Sequence, residues 1–196
     1  MRKGERTRQM IVARAAPVFN VQGYFGASMS DLIRETKLGK GGIYNHFDSK
    51  ETLALEAFDY AVELVRERFR AALAGQERAA DRLLAIVGVF RSLIDEPPLP
   101  GGCPVLNTAI EADDTNPALR DRARQAMAEW QELIIRTARK GIKAGDLRPD
   151  TDPEALATVI TATLEGAVML SKLYGDPVHM RRAVVHLTAY VRSLMV

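Results

Sequence analysis

Apolar residues recur every three to four positions along nearly the whole chain, and nowhere do they alternate with the period of two that a half-buried strand requires. In the first segment Ile11, Ala15, Val18 and Phe19 fall on one stripe, with Arg8 and Arg14 off it, and Gly23 supplies a stop. Ser28, followed three residues on by Asp31, has the form of a capping box that opens a short helix over "MSDLIRET", which "KLG" then breaks. A second short helix is expected from Lys40 to about Phe47. Asp48 or Ser49 caps a long helix in which Leu53, Ala57, Tyr60, Ala61, Leu64 and Val65 share a face, ending near Gly75.

Leu83, Leu84, Val87, Phe90 and Leu93 mark the next helix. The stretch "DEPPLPGG", residues 95–102, excludes helix with its three prolines and two glycines. Helices are expected from about Pro104 to Asp113, from Asn116-Pro117 to near "KAGDLRPD", and over about 153–174 and 177–195. The fold class is therefore all-α, with about nine helices.

At 196 residues, 47% hydrophobic and 27% charged, the chain has ordinary globular composition. No run approaches the roughly 18 to 20 apolar residues that cross a bilayer, and the N-terminus lacks the continuous apolar core of a secretion signal. A single cysteine, Cys103, excludes an internal disulfide framework and a cysteine-rich zinc site. The cytoplasm is the expected compartment, with no membrane partner. The net charge of +2 says little, but its distribution says more. Residues 1–50 hold nine Lys/Arg (Arg2 among them) against four acids, a net +5, whereas the remainder carries −3. A basic first quarter suits a polyanion there; chance clustering on a solvated face explains the charge alone equally well.

Two short helices joined by a tight glycine-containing turn, behind a first helix and inside that basic quarter, form a helix-turn-helix pattern. Gly41 and Gly42 would let backbone N–H groups of the second short helix approach a phosphate, with Lys40 beside them. Tyr44 suits a phosphate, Asn45 a base edge, and His46 either. Ile43 and Phe47, four residues apart, would anchor the helix to the core. No catalytic set appears. The histidines at 46, 179 and 186 do not converge, since the last two, seven residues apart on one helix, lie about 10.5 Å apart, too far for one metal ion. No cofactor is expected.

The segment "GYFGASMSDLIRETKLGKGGIYNHFDSKETL", residues 23–53, resembles the tetracycline-repressor (TetR/AcrR) family of transcriptional regulators. It carries the family's glycine plus aromatic after the first helix, a hydroxyl residue opening the second, the Lys-Gly-x-Leu/Ile-Tyr-x-x-Phe core and the Ser-Lys-Glu start of the connecting helix. The resemblance implies a helix-turn-helix DNA-binding domain over residues 1–50 and a helical ligand-binding and dimerisation domain over 51–196. It implies phosphate contacts from Ser28, Tyr44, His46 and Lys50, with Lys40, Gly41, Gly42 and Asn45 facing the groove and Met29 beside Ser28 at the DNA-facing start of the second helix. Three departures stand out. Ala27 replaces a frequent hydroxyl residue, Gly42 replaces Thr or Ala, and Lys37-Leu38-Gly39 replaces Gly-Val-Ser, which removes a hydroxyl N-cap from the recognition helix.

For a ligand pocket the candidates are Phe90, Cys103, Leu106, Asn107, Glu111, Trp130, Glu165 and Met169, most of whose apolar members would serve equally as core. Asn107 and Glu165 need polar partners. Cys103 at a helix start reads either as a redox or electrophile sensor or as a small buried hydrophobe. The last two helices offer dimer surfaces: Val184, Leu187, Val191 and Leu194 on one, and the small-residue face Ala155, Val159, Ala162, Gly166 and Ala167 on the other. The expected function is that of a homodimeric transcriptional regulator acting as a repressor, freed from a palindromic double-stranded DNA operator by a small-molecule effector. The alternative is a helical small-molecule-binding or adaptor protein without sequence-specific DNA binding.

Overall fold

The computed structural model describes residues 3–196, so Arg2 of the basic count lies outside the described residues. These residues form nine helices: α1 (Lys3–Gly26), α2 (Met29–Thr36), α3 (Lys40–Tyr44), α4 (Lys50–Leu73), α5 (Ala79–Asp95), α6 (Pro104–Ala112), α7 (Pro117–Ala144), α8 (Pro153–Tyr174) and α9 (Val178–Ser193). The only pairing outside helices among them is an isolated bridge between Leu147 and Met195. The starts lie where the chemistry puts them. Pro104, Pro117 and Pro153 occupy first turns, where a missing N–H costs nothing, and the Asp152 carboxylate accepts from the Glu154 and Ala155 amides.

The chain divides into two compact units. The first joins the N-terminal segment up to Leu64 to Leu99–Gln125, so α6 and the head of α7 pack with the N-terminal helices. Its core gathers Ile11, Ala15, Val18, Leu32, Ile43, Phe47, Leu53 and Ala57, all buried. Four helices thus meet through one apolar face each, which is what fixes the two short helices that are too brief to be stable alone.

The second unit comprises Val65–Pro98 and Ala126–Val196, in which α5, α8 and α9 pack on one another. Phe69, Phe90 and Trp130 form an aromatic triad in its core, with ring centroids 5.6 to 5.9 Å apart. Two expectations change here. Leu187 and Val191 are fully buried within the unit, so the α9 stripe they share with Val184 and Leu194 faces inward and is not a free dimer surface. The outward apolar residues are Val159, Met169 and Leu173 on α8 and Val185 on α9. Further, α8 is long and apolar enough to cross a membrane by length and composition, with a mean hydropathy of 1.4 over its best window. Half of that window is buried inside the protein, and Glu165 interrupts it, as a core helix would show.

Candidate nucleic-acid interface

Ser28 ends an extended stretch and caps α2. Its Oγ accepts from the Asp31 amide at 3.1 Å, while its own amide donates to Asp31 Oδ2 at 3.0 Å. This reciprocal box satisfies two donors that a helix start otherwise leaves unpaired. The Ser28 hydroxyl also donates to Asp31, and these bonds from Ser28 hold the Asp31 carboxyl below the ordinary carboxylate range. Met29 is half-buried against the core. α2 ends at Lys37, which takes a left-handed conformation (φ 58°) that a non-glycine residue adopts only at a cost. Gly39 then precedes α3 without any side-chain cap, the loss expected from its place in the hydroxyl's position.

The recognition helix is shorter than expected. α3 ends at Tyr44, so Asn45 is its C-cap and His46 lies beyond it. The amides of His46 and Phe47 both donate to the Ile43 carbonyl, a tightening that turns the chain toward α4. Ile43 and Phe47 are buried, as anchors must be. On the other side Lys40, Gly41, Tyr44 and Asn45 are exposed and contiguous, with the Lys40 ammonium 5.9 Å from the Tyr44 ring centroid. A Cβ at Gly39 or Gly41 would meet nothing within 4 Å, and at Gly42 only Leu38 at 3.4 Å. Nothing inside the chain requires glycine at these positions.

Arg8 was not singled out by the sequence pattern, yet it is central to the site. From α1 its guanidinium stacks over the Phe47 ring at 4.3 Å, donates to the His46 carbonyl and pairs with Glu56 of α4. Arg14 likewise donates to the Thr36 carbonyl at the end of α2, at 3.2 Å. Lys50, expected at a phosphate, turns inward: its ammonium donates to the Tyr24 carbonyl and sits 4.6 Å from that residue's ring centroid. Burial lowers the Lys50 ammonium's pKa, partly opposed by Glu111, and raises that of the Tyr24 phenol, to which Glu51 adds.

The eight ligand candidates divide equally between the two units. Cys103, Leu106, Asn107 and Glu111 belong to the first unit, and Phe90, Trp130, Glu165 and Met169 to the second. Cys103 is fully buried, and its Sγ accepts from the Leu106 amide at 3.4 Å, capping α6. Leu106 is half-buried beside it. Asn107 and Glu111 bond to α1. Together with Phe19, Tyr24 and Phe58 these two line a cavity of about 30 Å³, room for a water molecule or two and no more. Phe90 and Trp130 are core, Met169 faces outward, and Glu165 is buried on α8 one turn from Thr161. Among the described residues no group of three or more His, Cys, Asp or Glu is placed to hold a metal ion.

The family profile "Bacterial regulatory proteins, tetR family" matches residues 11–57, and "Tetracyclin repressor-like, C-terminal domain" matches residues 79–187. A TetR transcriptional regulator from Chloroflexus aurantiacus J-10-FL, solved by crystallography, is 51% identical, covers 100% of this chain and 98% of its own, and superposes with a TM-score of 0.96. The HTH-type transcriptional repressor DhaR of Mycobacterium sp. strain GP1 is 24% identical over 85% of this chain and 82% of its own. A cysteine mutant of the TetR-family regulator CifR, solved with a 26-bp double-strand operator, is 27% identical over 95% of each chain, with a TM-score of 0.77.

Proposed function

We propose, from the premise that the chain belongs to the tetR family of bacterial regulatory proteins, that this DNA-binding transcriptional regulator is a homodimeric repressor released from a palindromic operator by a small molecule. The observation that carries the DNA-facing half is the exposed, contiguous set Lys40, Gly41, Tyr44 and Asn45, projected from a short helix whose opposite face, Ile43 and Phe47, is locked in the core. Open space at the α3 N-terminus leaves its backbone amides free to meet a phosphate, with Lys40 adding charge and Asn45 a bidentate amide for a base edge. Ser28 and His46 complete the backbone contacts, and Lys50 acts from behind by holding Tyr24. The place of action is the cytoplasm, with the DNA itself.

For the dimer, the outward apolar residues Val159, Met169 and Leu173 of α8, with the small Ala155, Ala162 and Gly166 on the same face, supply a surface on which a second copy can approach closely. A two-fold dimer would set recognition helices about 34–36 Å apart, or a multiple, and so read a palindrome. For the effector, the second unit is the better host. Among the described residues Trp130 Nε1 and Thr161 Oγ1 are buried there without a hydrogen-bond partner, a cost of about 1–3 kcal/mol each that a polar ligand would relieve. An effector that prefers the conformer with misplaced recognition helices lowers DNA affinity by its differential affinity for the two states. An electrophoretic shift with the duplex upstream of the protein's own gene tests the proposal. Salt-sensitive binding there, absent with a scrambled duplex, supports it; equal binding to both would leave only a polyanion-binding protein.

A further inference from the structure

We infer that Asn107 and Glu111 of α6 are positioning residues for DNA binding: they hold the exit of α1 in the conformation that presents α2 and α3, so α6 sets the DNA-reading geometry without touching DNA. The inference rests on the DNA-binding reading above.

The need for these two side chains comes from the backbone. Gly23, with φ 76° and ψ 170°, breaks α1, and the chain swings out through Tyr24 and Phe25. In an unbroken helix the Tyr24 amide would donate to the Asn20 carbonyl, four residues back. Here both groups turn to α6 instead. Asn107 Nδ2 donates to the Asn20 carbonyl at 3.0 Å, and the Glu111 carboxylate accepts from the amides of Tyr24 at 2.8 Å and Phe25 at 3.0 Å. Asn107 and Glu111 are four residues apart and so lie on one face of α6. One helical turn of α6 therefore replaces the hydrogen bond that α1 loses, donor for donor and acceptor for acceptor. A Cβ at position 23 would lie 2.4 Å from Glu111 Oε1, so a side chain there would push the carboxylate off these amides, and the positive φ already favours glycine.

The same bracket is fastened on its other sides. Asn107 Nδ2 also donates to Asn20 Oδ1 and to the Gly101 carbonyl, while Asn20 Nδ2 donates to the carbonyls of Pro100 and Gly102. The "PGG" stretch before α6 is thereby pinned to α1. Tyr24 is the node. Its amide goes to Glu111 in α6, and its carbonyl goes to Lys50 at the head of α4. The segment between Phe25 and Lys50, which carries both DNA-reading helices, thus leaves from and returns to one fixed point. A displacement of α6 moves that point.

The test compares the full-length protein with Glu111→Ala, Glu111→Gln and Asn107→Ala. The probes are a duplex that the wild-type protein selects from a random pool and an unrelated duplex of equal length. Hydrogen exchange of the peptide spanning 21–30 is followed in parallel, and circular dichroism establishes folding. Glu111→Ala should lower affinity for the selected duplex about tenfold, the worth of a lost charge-assisted hydrogen bond. Affinity for the unrelated duplex and the slope of log K against log salt should not move, because no phosphate contact is lost. Exchange at 24–25 should accelerate by a similar factor. Glu111→Gln, which keeps one acceptor oxygen, should fall between, and Asn107→Ala should repeat the pattern. A folded Glu111→Ala protein with faster exchange and unchanged selective affinity would overturn the inference, as would equal losses on both duplexes. Unchanged exchange would overturn the bracket itself, whatever the DNA result. A wild-type protein that selects no duplex would instead refute the DNA reading, and with it this inference.

Discussion

Arg8→Met removes a guanidinium from α1 and keeps most of the apolar stem, which isolates what the charged fork does. Three interactions end with it. The ion pair to Glu56 joins side chains that are 37% and 36% exposed, so screening leaves it at about 0.5 kcal/mol. The guanidinium 4.3 Å from the Phe47 centroid adds about 0.5–1 kcal/mol. Donation to the His46 carbonyl contributes about 1.5–3 kcal/mol, the range for a hydrogen bond with one charged partner. The sum, about 2.5–4.5 kcal/mol, is a substantial part of the roughly 5–15 kcal/mol that holds a typical fold together. Urea unfolding followed by circular dichroism should show a lower midpoint in the variant. Operator affinity should fall too, because the turn after α3 loses its tie to α1, while the salt slope of binding stays that of the wild type. A protein of undiminished stability whose salt slope drops by about one would refute the reasoning and make Arg8 a phosphate ligand instead.

Ser28→Ala should cost about 1 kcal/mol through loss of the capping box. The Asp31 carboxyl is held below its ordinary range in the fold, so its stabilising share is complete above the unfolded-state value and disappears as pH falls through the folded one; the loss of stability in acid should shrink in Ser28→Ala by equilibrium unfolding across pH 2–6. Lys37→Gly should stabilise the protein by up to about 1 kcal/mol in thermal unfolding, since Lys37 occupies the left-handed region at φ 58° and a glycine there pays no steric penalty. Cys103, fully buried and capping α6, should react with a bulky aromatic disulfide reagent far more slowly in the folded protein than in urea; rapid labelling of the native chain would favour the sensor reading over the packed one.

Much of the fold was legible because its signals are local. Proline in the first turns of α6, α7 and α8, the Ser28–Asp31 box and the 3.6-residue stripes each depend on residues within one or two turns, and the observed helices fall within a few residues of those expected. What was not legible depends on distance along the chain. Arg8 reads as one more surface cation until the turn after α3 and the first half of α4 fold around it, 38 and 48 residues away. Glu111 reads as a pocket carboxylate until Tyr24, 87 residues earlier, offers its amide. The α9 stripe announced burial correctly, but periodicity has no means of telling burial within a chain from burial against a copy, and Leu187 and Val191 went inward. The early end of α3 has a similar cause: the pattern extends to Phe47, but the need to enter α4 tightens the chain at Ile43.

The most direct measurement is a salt titration of the wild-type protein, Lys40→Ala and Tyr44→Phe on the duplex the protein selects from a random pool. The expected motif is a palindrome whose half-sites are centred about one helical turn, or a multiple of it, apart. Lys40→Ala should weaken binding and make the salt slope shallower by about one per recognition helix, while Tyr44→Phe weakens binding with its ring packing intact. Selection of no motif, or variants that bind the selected duplex as tightly and as salt-dependently as the wild type, would contradict the placement of the DNA-reading face on α3.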